Sequence, residues 1–145
     1  MGTRSRIAIE TPQGVTSIYC HWDGYPSNNG KILIDHYTAV SKINRLMKLG
    51  DISVLGAEIG KKIAFETPTA ERCNQCIAYR RDRGDKDVTT VFHADVDTMY
   101  AYSSDGWAEF VYLYRDGKWL VSATGDKPAW RPVSDVLAEQ LAEAE

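Results

Sequence analysis

Glu109-Phe110-Val111-Tyr112-Leu113-Tyr114-Arg115-Asp116-Gly117-Lys118-Trp119-Leu120-Val121-Ser122 reads as two strands around a tight turn. Aromatic and β-branched residues stand on either side of Asp-Gly, a dipeptide suited to the positive φ angles of a two-residue hairpin. A second hairpin opens the chain. Residues 6–10 (Arg-Ile-Ala-Ile-Glu) alternate, Thr11-Pro12-Gln13-Gly14 is turn chemistry, and residues 15–21 are β-rich. Helical patterns lie between. Ser27-Asn28-Asn29 can cap a helix through Ile32, Leu33 and Tyr37. Thr38 can cap a second, with an apolar stripe of Val40, Ile43, Leu46 and Met47 that stops at Gly50. Residues 51–60 add a further turn or two, and 63–65, 77–79 and 88–92 read as short strands. Residues 95–102 form a short helix with an acidic first turn. After Pro128 and Pro132, Val133, Val136, Leu137 and Leu141 follow i, i+3, i+4, i+8, the mark of an amphipathic helix. The expectation is one α+β domain over residues 1–145, with a mostly antiparallel sheet, helices packed on one face and a C-terminal amphipathic helix.

Composition narrows the function classes. The chain has 145 residues, with 17 Lys+Arg against 20 Asp+Glu for a formal charge of −3, 43% hydrophobic and 26% charged residues. These are globular proportions. The balance lacks the basic footprint of a general nucleic-acid binder. The apolar stretch Ile7-Ala8-Ile9 is too brief for a signal-peptide core, and no stretch approaches the roughly 18 apolar residues of a membrane span. Arg6 stands where a myristoylation signal needs Ser or Thr. The three cysteines, Cys20, Cys73 and Cys76, read as reduced thiols of a cytoplasmic protein.

The densest functional stretch is Tyr19-Cys20-His21-Trp22-Asp23-Gly24-Tyr25-Pro26. It puts His21, Trp22, Asp23 and Tyr25 on a strand end and its loop, where ligand groups commonly sit. The same residues could instead plug the sheet end, with Asp23 making an Asx turn.

Together with the opening Met-Gly-Thr-Arg-Ser, the segment Leu-Gly-Asp-Ile-Ser-x-Leu-Gly at 49–56, Ala-Tyr-Arg-Arg-Asp-Arg-Gly-Asp at 78–85 and Tyr-Arg-Asp-Gly-Lys-Trp at 114–119, this stretch resembles a family of small proteins carried by bacteriophages and prophages. The resemblance spans residues 1 to about 122 and brings no established activity with it. It implies an accessory protein that binds and blocks a component of its host, including immune machinery, in the host cytoplasm.

Tyr79, Arg80, Arg81 and Arg83 form a second candidate site, because forked guanidinium groups recognise phosphates and carboxylates and Gly84 would let the backbone approach an anion. The alternative is a solvated loop whose charges, Asp82, Asp85 and Asp87 among them, neutralise one another. Cys73-x-x-Cys76 has the spacing of two zinc ligands but lacks a second pair at fixed spacing, so no metal and no cofactor are assigned. His93, Asp95 and Asp97 would share one face of an extended segment and could hold a cation or a water, unless Asp95 caps the helix that follows. His36, beside Tyr37, reads as a half-buried packing residue. No phosphate-loop, dinucleotide or nucleophile-elbow motif occurs.

The leading expectation is a binding protein that occupies a host protein or sequesters a small phosphorylated ligand. A small hydrolase or nucleotide-processing enzyme using His21, Asp23 and His93, with or without a metal, is the alternative. A structural accessory protein that self-associates through its aromatic loop is the third class.

Overall fold

The structure is a computed structural model that describes residues 3–66 and 74–144. Its centre is β1 (Ser5–Thr11), paired antiparallel with β2 (Gly14–Cys20) and parallel with β6 (Phe110–Arg115). The other strands are β3 (Ile52–Val54), β4 (Ile77–Ala78), β5 (Val91–His93), β7 (Lys118–Ala123) and β8 (Arg131–Pro132). They form one eight-stranded mixed sheet in the order β4-β3-β2-β1-β6-β7-β8, with β5 also paired to β2. Five of the seven strand pairings among the described residues are antiparallel, so the fold is α+β with a mostly antiparallel sheet.

Alternation along β1 creates two cores. Ile7 and Ile9, with Ile18 and Cys20 of β2, face one side, and Ala8 and Val15 face the other. Helices α1 (Lys31–His36), α2 (Val40–Leu49) and α5 (Val133–Ala144) cover the first face. They bring Leu33, Ile43, Leu46, Met47 and Val133 against it. Helix α4 (Val96–Asp105) is the exception to the expected one-sided packing. Its Val96, Met99 and Tyr100 cover Ala8, Val15, Val111 and Leu113 on the opposite face. The alternation of residues 6–10 points to one buried face, whereas Ser5 to Ile9 are buried on both sides of the sheet, with the small Ala8 as the apolar residue that meets α4.

Both hairpins and the helix capped by Asp95 match the sequence reading. Asp95 Oδ1 accepts from the Thr98 N–H at 2.8 Å, so the carboxylate completes the helix start. Other elements differ. Ser27 to Asn29 cap no helix: Pro26–Gly30 is a π-helical turn, and Asn29 is buried, donating to Ser5 Oγ and Cys20 Sγ. Ala39, rather than Thr38, precedes α2, without a side-chain cap. Residues 52–54 are strand where helix was expected, and 63–65 are not strand. Tyr79 starts a helix, α3 (Tyr79–Arg83), instead of ending β4. His36 is exposed, and the apolar stripe of α5 stops at Leu137, leaving Leu141 exposed.

Helix α3 is fixed by its own charges. The Asp82 carboxylate, with no side-chain exposure, accepts from the Ala78 N–H at 2.8 Å and the Ile63 N–H at 3.1 Å, and Arg81 Nε is 2.9 Å away. Removing that carboxylate strands a guanidinium and two backbone donors. Asp82→Ala is expected to lower stability by about 3 kcal/mol, read from urea unfolding. Asp85→Ala, in a more exposed pair with Arg83, should leave the midpoint near that of the unsubstituted protein.

Candidate functional site

The loop after β2 is clamped through its backbone. His21 N–H donates to the Ile52 carbonyl at 3.1 Å and Trp22 N–H to the Ser53 carbonyl at 3.0 Å, which prolongs the β2–β3 ladder. Gly24 N–H donates to the Thr3 carbonyl at 2.8 Å, and the buried Tyr112 hydroxyl donates to the Gly24 carbonyl at 2.5 Å. Asn28 Nδ2 donates to the Asp23 carbonyl at 3.2 Å, and the Asn28 and Asn29 N–H groups share the Tyr25 carbonyl. Gly24 is required by close approach, since a Cβ there would lie 2.7 Å from both the Ser5 Cβ and the Thr3 carbonyl oxygen.

The side chains of this fixed loop face solvent. Trp22 is 41% and Tyr25 40% exposed. Asp23 is exposed and held at φ 56°, the left-handed region that non-glycine residues occupy at a cost. The Tyr25 hydroxyl donates to Asp23 Oδ1 at 3.4 Å. His21 lies behind them, its Nδ1 2.8 Å from the Tyr19 hydroxyl and its ring edge-on to Trp22 at 4.9 Å. On the helix side of the loop, a cleft of about 430 Å³ opens between Asp23, Asn28, His36 and Gln75.

Trp107 is a residue that sequence reasoning missed. It follows α4, is 78% exposed and has φ 70°, while Gly106 before it keeps φ −85°. A left-handed position after a helix usually falls to glycine, so an exposed tryptophan there gives up both backbone ease and apolar burial. The available signal was an aromatic residue directly after a helix-ending glycine. Glu109 N–H donates to the Arg4 carbonyl, one residue beyond the carbonyl that holds Gly24. The Trp22–Tyr25 loop and the Trp107 turn therefore flank the same N-terminal segment at one end of the sheet.

The guanidinium groups of the second candidate are each committed within the chain. Arg80 Nη2 donates to the Lys48 carbonyl at 2.5 Å. Arg81 holds the Ile59 and Cys76 carbonyls and both oxygens of Asp82. Arg83 makes a two-pronged pair with Asp85 and stacks over Phe65 and Tyr79. Tyr79 alone joins the neighbourhood of the first candidate: its N–H donates to the Asp51 carbonyl, while Asp51 Oδ1 accepts from the Tyr19 N–H. The alternative trio of His21, Asp23 and His93 is not assembled. His93 pairs opposite Val15, six residues along β2 from His21, or roughly 20 Å at the rise of a strand. Cys73 lies outside the described residues. Cys76 is a buried thiol that accepts from the Gly56 N–H at 3.3 Å beside the Tyr37 hydroxyl, and burial raises its pKa. Burial likewise pushes Cys20 up to about 12. Among the described residues no helix is long and apolar enough to cross a membrane.

No family model, curated protein or solved structure matches this chain.

The two inward histidines share one electrostatic setting. Burial lowers the pKa of both, followed by the positive charge of Arg4 at His21 and of Arg6 at His93. The unfolded chain then binds protons that the folded chain refuses. This contribution to stability is complete above the unfolded value of about 6.5 and declines as the pH falls below it toward the lowered folded values. Urea midpoints should accordingly be lower at pH 5.5 than at pH 7.5, and the double variant His21→Gln/His93→Gln should flatten that difference.

Proposed function

We propose that the chain is a non-enzymatic binding protein that engages a partner protein through Trp22, Asp23 and Tyr25, with Trp107 completing the surface. The single observation that carries this reading is the contrast within the loop, a backbone clamped from several sides and large aromatic side chains left in solvent. Preorganised aromatic residues lose little conformational freedom on docking, which is why tryptophan and tyrosine dominate the energetics of protein interfaces. The Asp23 carboxylate beside the rings adds a charged contact that fixes orientation. The resemblance to phage proteins makes a host component the natural partner, and blocking of host immune machinery the mode of action.

Two observations favour this reading over its competitors. Sequestration of a phosphorylated ligand by Arg80, Arg81 and Arg83 would have to displace the bonds of Arg81 to Asp82 and two carbonyls and of Arg83 to Asp85, leaving the exposed Arg80, bonded to the Lys48 carbonyl, to act alone. Hydrolysis by His21, Asp23 and His93 would require groups that the sheet holds far apart.

Placing a photo-crosslinking phenylalanine analogue at Tyr25 in host cells should yield one discrete crosslinked polypeptide, whereas the same analogue at Lys118 should not. With that partner in hand, Trp22→Ala, Tyr25→Ala and Trp107→Ala should each weaken binding by roughly 30-fold, the equivalent of about 2 kcal/mol at an interface anchor. Asp23→Gly should raise thermal stability by about 0.5–1 kcal/mol, because glycine relieves the left-handed backbone, while weakening binding. Affinities unmoved by all four substitutions would place the interface elsewhere. Self-association of the purified chain, lost on the same substitutions, would transfer the surface to the accessory-assembly class.

A further inference from the structure

We propose that Arg6 is the centre of an oxyanion-binding site on the sheet face that carries α4. The register sets Arg6 of β1 directly across from Tyr19 of β2. The residue is only 7% exposed, yet among the described residues it has no carboxylate within ion-pair distance. Among the described residues its guanidinium makes one hydrogen bond, from Nη1 to Ser17 Oγ at 2.8 Å, and the Tyr102 ring lies 4.8 Å below its central carbon. Ser17 Oγ is itself 2.7 Å from His93 Nε2, so that hydroxyl is shared and fully buried. No fully buried side-chain nitrogen or oxygen among the described residues lacks a partner, so any Arg6 nitrogen that has none is open to solvent.

A cation held this deep is unfavourable without an opposite charge, and a guanidinium fork matches the two oxygens of a carboxylate or phosphate. The surroundings are short of negative charge. Arg4 lies near enough for its charge to act on both the Tyr19 hydroxyl and the His21 ring. Asp51 is the acid whose charge acts most strongly on Arg6, yet it lies outside ion-pair distance and its Oδ1 is occupied by the Tyr19 N–H at 2.9 Å. Burial lowers the pKa of Arg6 and Asp51 raises it, as expected of a cation short of solvent and of a partner. The site takes a single oxyanion group, supplied by a phosphorylated small molecule or by an acidic side chain of a protein. It stands independently of the aromatic loop, since none of these contacts involves Trp22, Asp23 or Tyr25.

The test is nuclear magnetic resonance of the arginine Nε–Hε groups of the full chain, titrated separately with inorganic phosphate and with acetate. The Arg6 resonance should move saturably, and Arg83, closed by Asp85, should stay still. Arg4→Ala, at an exposed position, should weaken the titration by at least about threefold, as expected when one of two neighbouring cations is removed. Arg83→Ala should leave it unchanged. In the unsubstituted chain the Ser17 and Tyr19 backbone amides beside Arg6 should shift saturably with the anion, and in Arg6→Lys, checked for folding by its amide spectrum, that shift should be lost, because an ammonium lacks the fork. Phosphate binding tighter than acetate supports the site and identifies a phosphorylated ligand, while acetate binding as tightly supports it and identifies a carboxylate. No saturable movement with either anion, or equal movement of every arginine, overturns the proposal.

Discussion

The carbonyls of Thr3 and Arg4 hold the two segments that end in exposed aromatic residues. One accepts from Gly24 and the other from Glu109, so the same short run of backbone aligns the loop after β2 and the turn before β6. This is possible because β1 sits between β2 and β6 and is buried on both faces, which leaves its N-terminal extension no freedom to drift. Tyr112 reinforces the arrangement from the core, with its hydroxyl on the Gly24 carbonyl and its ring packed among Ile7, Cys20 and Val133. Burial, followed by the neighbouring Cys20 thiol, raises the pKa of that hydroxyl above the ordinary tyrosine value and keeps it protonated and donating.

The two faces of the sheet are divided by chemistry. On the side of α1, α2 and α5 the core is apolar apart from polar atoms with assigned partners: Trp119 Nε1 donates to the Tyr37 carbonyl and the Tyr37 hydroxyl to the Gly56 carbonyl. On the side of α4 the apolar cluster is smaller and gives way to Arg6, Ser17, His93 and Tyr102. A polar network tolerated at this depth must be satisfied or it destabilises the fold. Any Arg6 nitrogen left without a partner is the place where that network remains open to a ligand.

The sequence made the local elements legible and hid the non-local ones. Alternation around Asp116-Gly117, and around Pro12-Gln13, located both hairpins because strand period and turn chemistry agree there. Asp95 was readable as a cap for the same reason. The parallel pairing of β1 with β6 left no local trace, and β3, only three residues long, carries too short a pattern to be told from a helical turn. The loop from His21 to Tyr25 could be named from its residue types, yet its rigidity depends on Thr3, Ser53 and Tyr112, distant partners that spacing cannot supply. Arg81 misled the reading for a related reason. A guanidinium beside aspartates looks like a solvated or anion-seeking group, and only the fold shows that it joins the Ile59 and Cys76 carbonyls to Asp82.

The aromatic loop is a fixed display, its backbone held by hydrogen bonds from several sides although its side chains are exposed. Amide hydrogen exchange measures this directly at Trp22 and Gly24, whose N–H groups donate to Ser53 and Thr3. The account predicts protection within about tenfold of the Ile7 and Ile18 amides in the β1–β2 ladder, because the loop opens only when the ladder does. Exchange at Trp22 and Gly24 as fast as at the exposed Asp116-Gly117 turn, with Ile7 and Ile18 still protected, would contradict it.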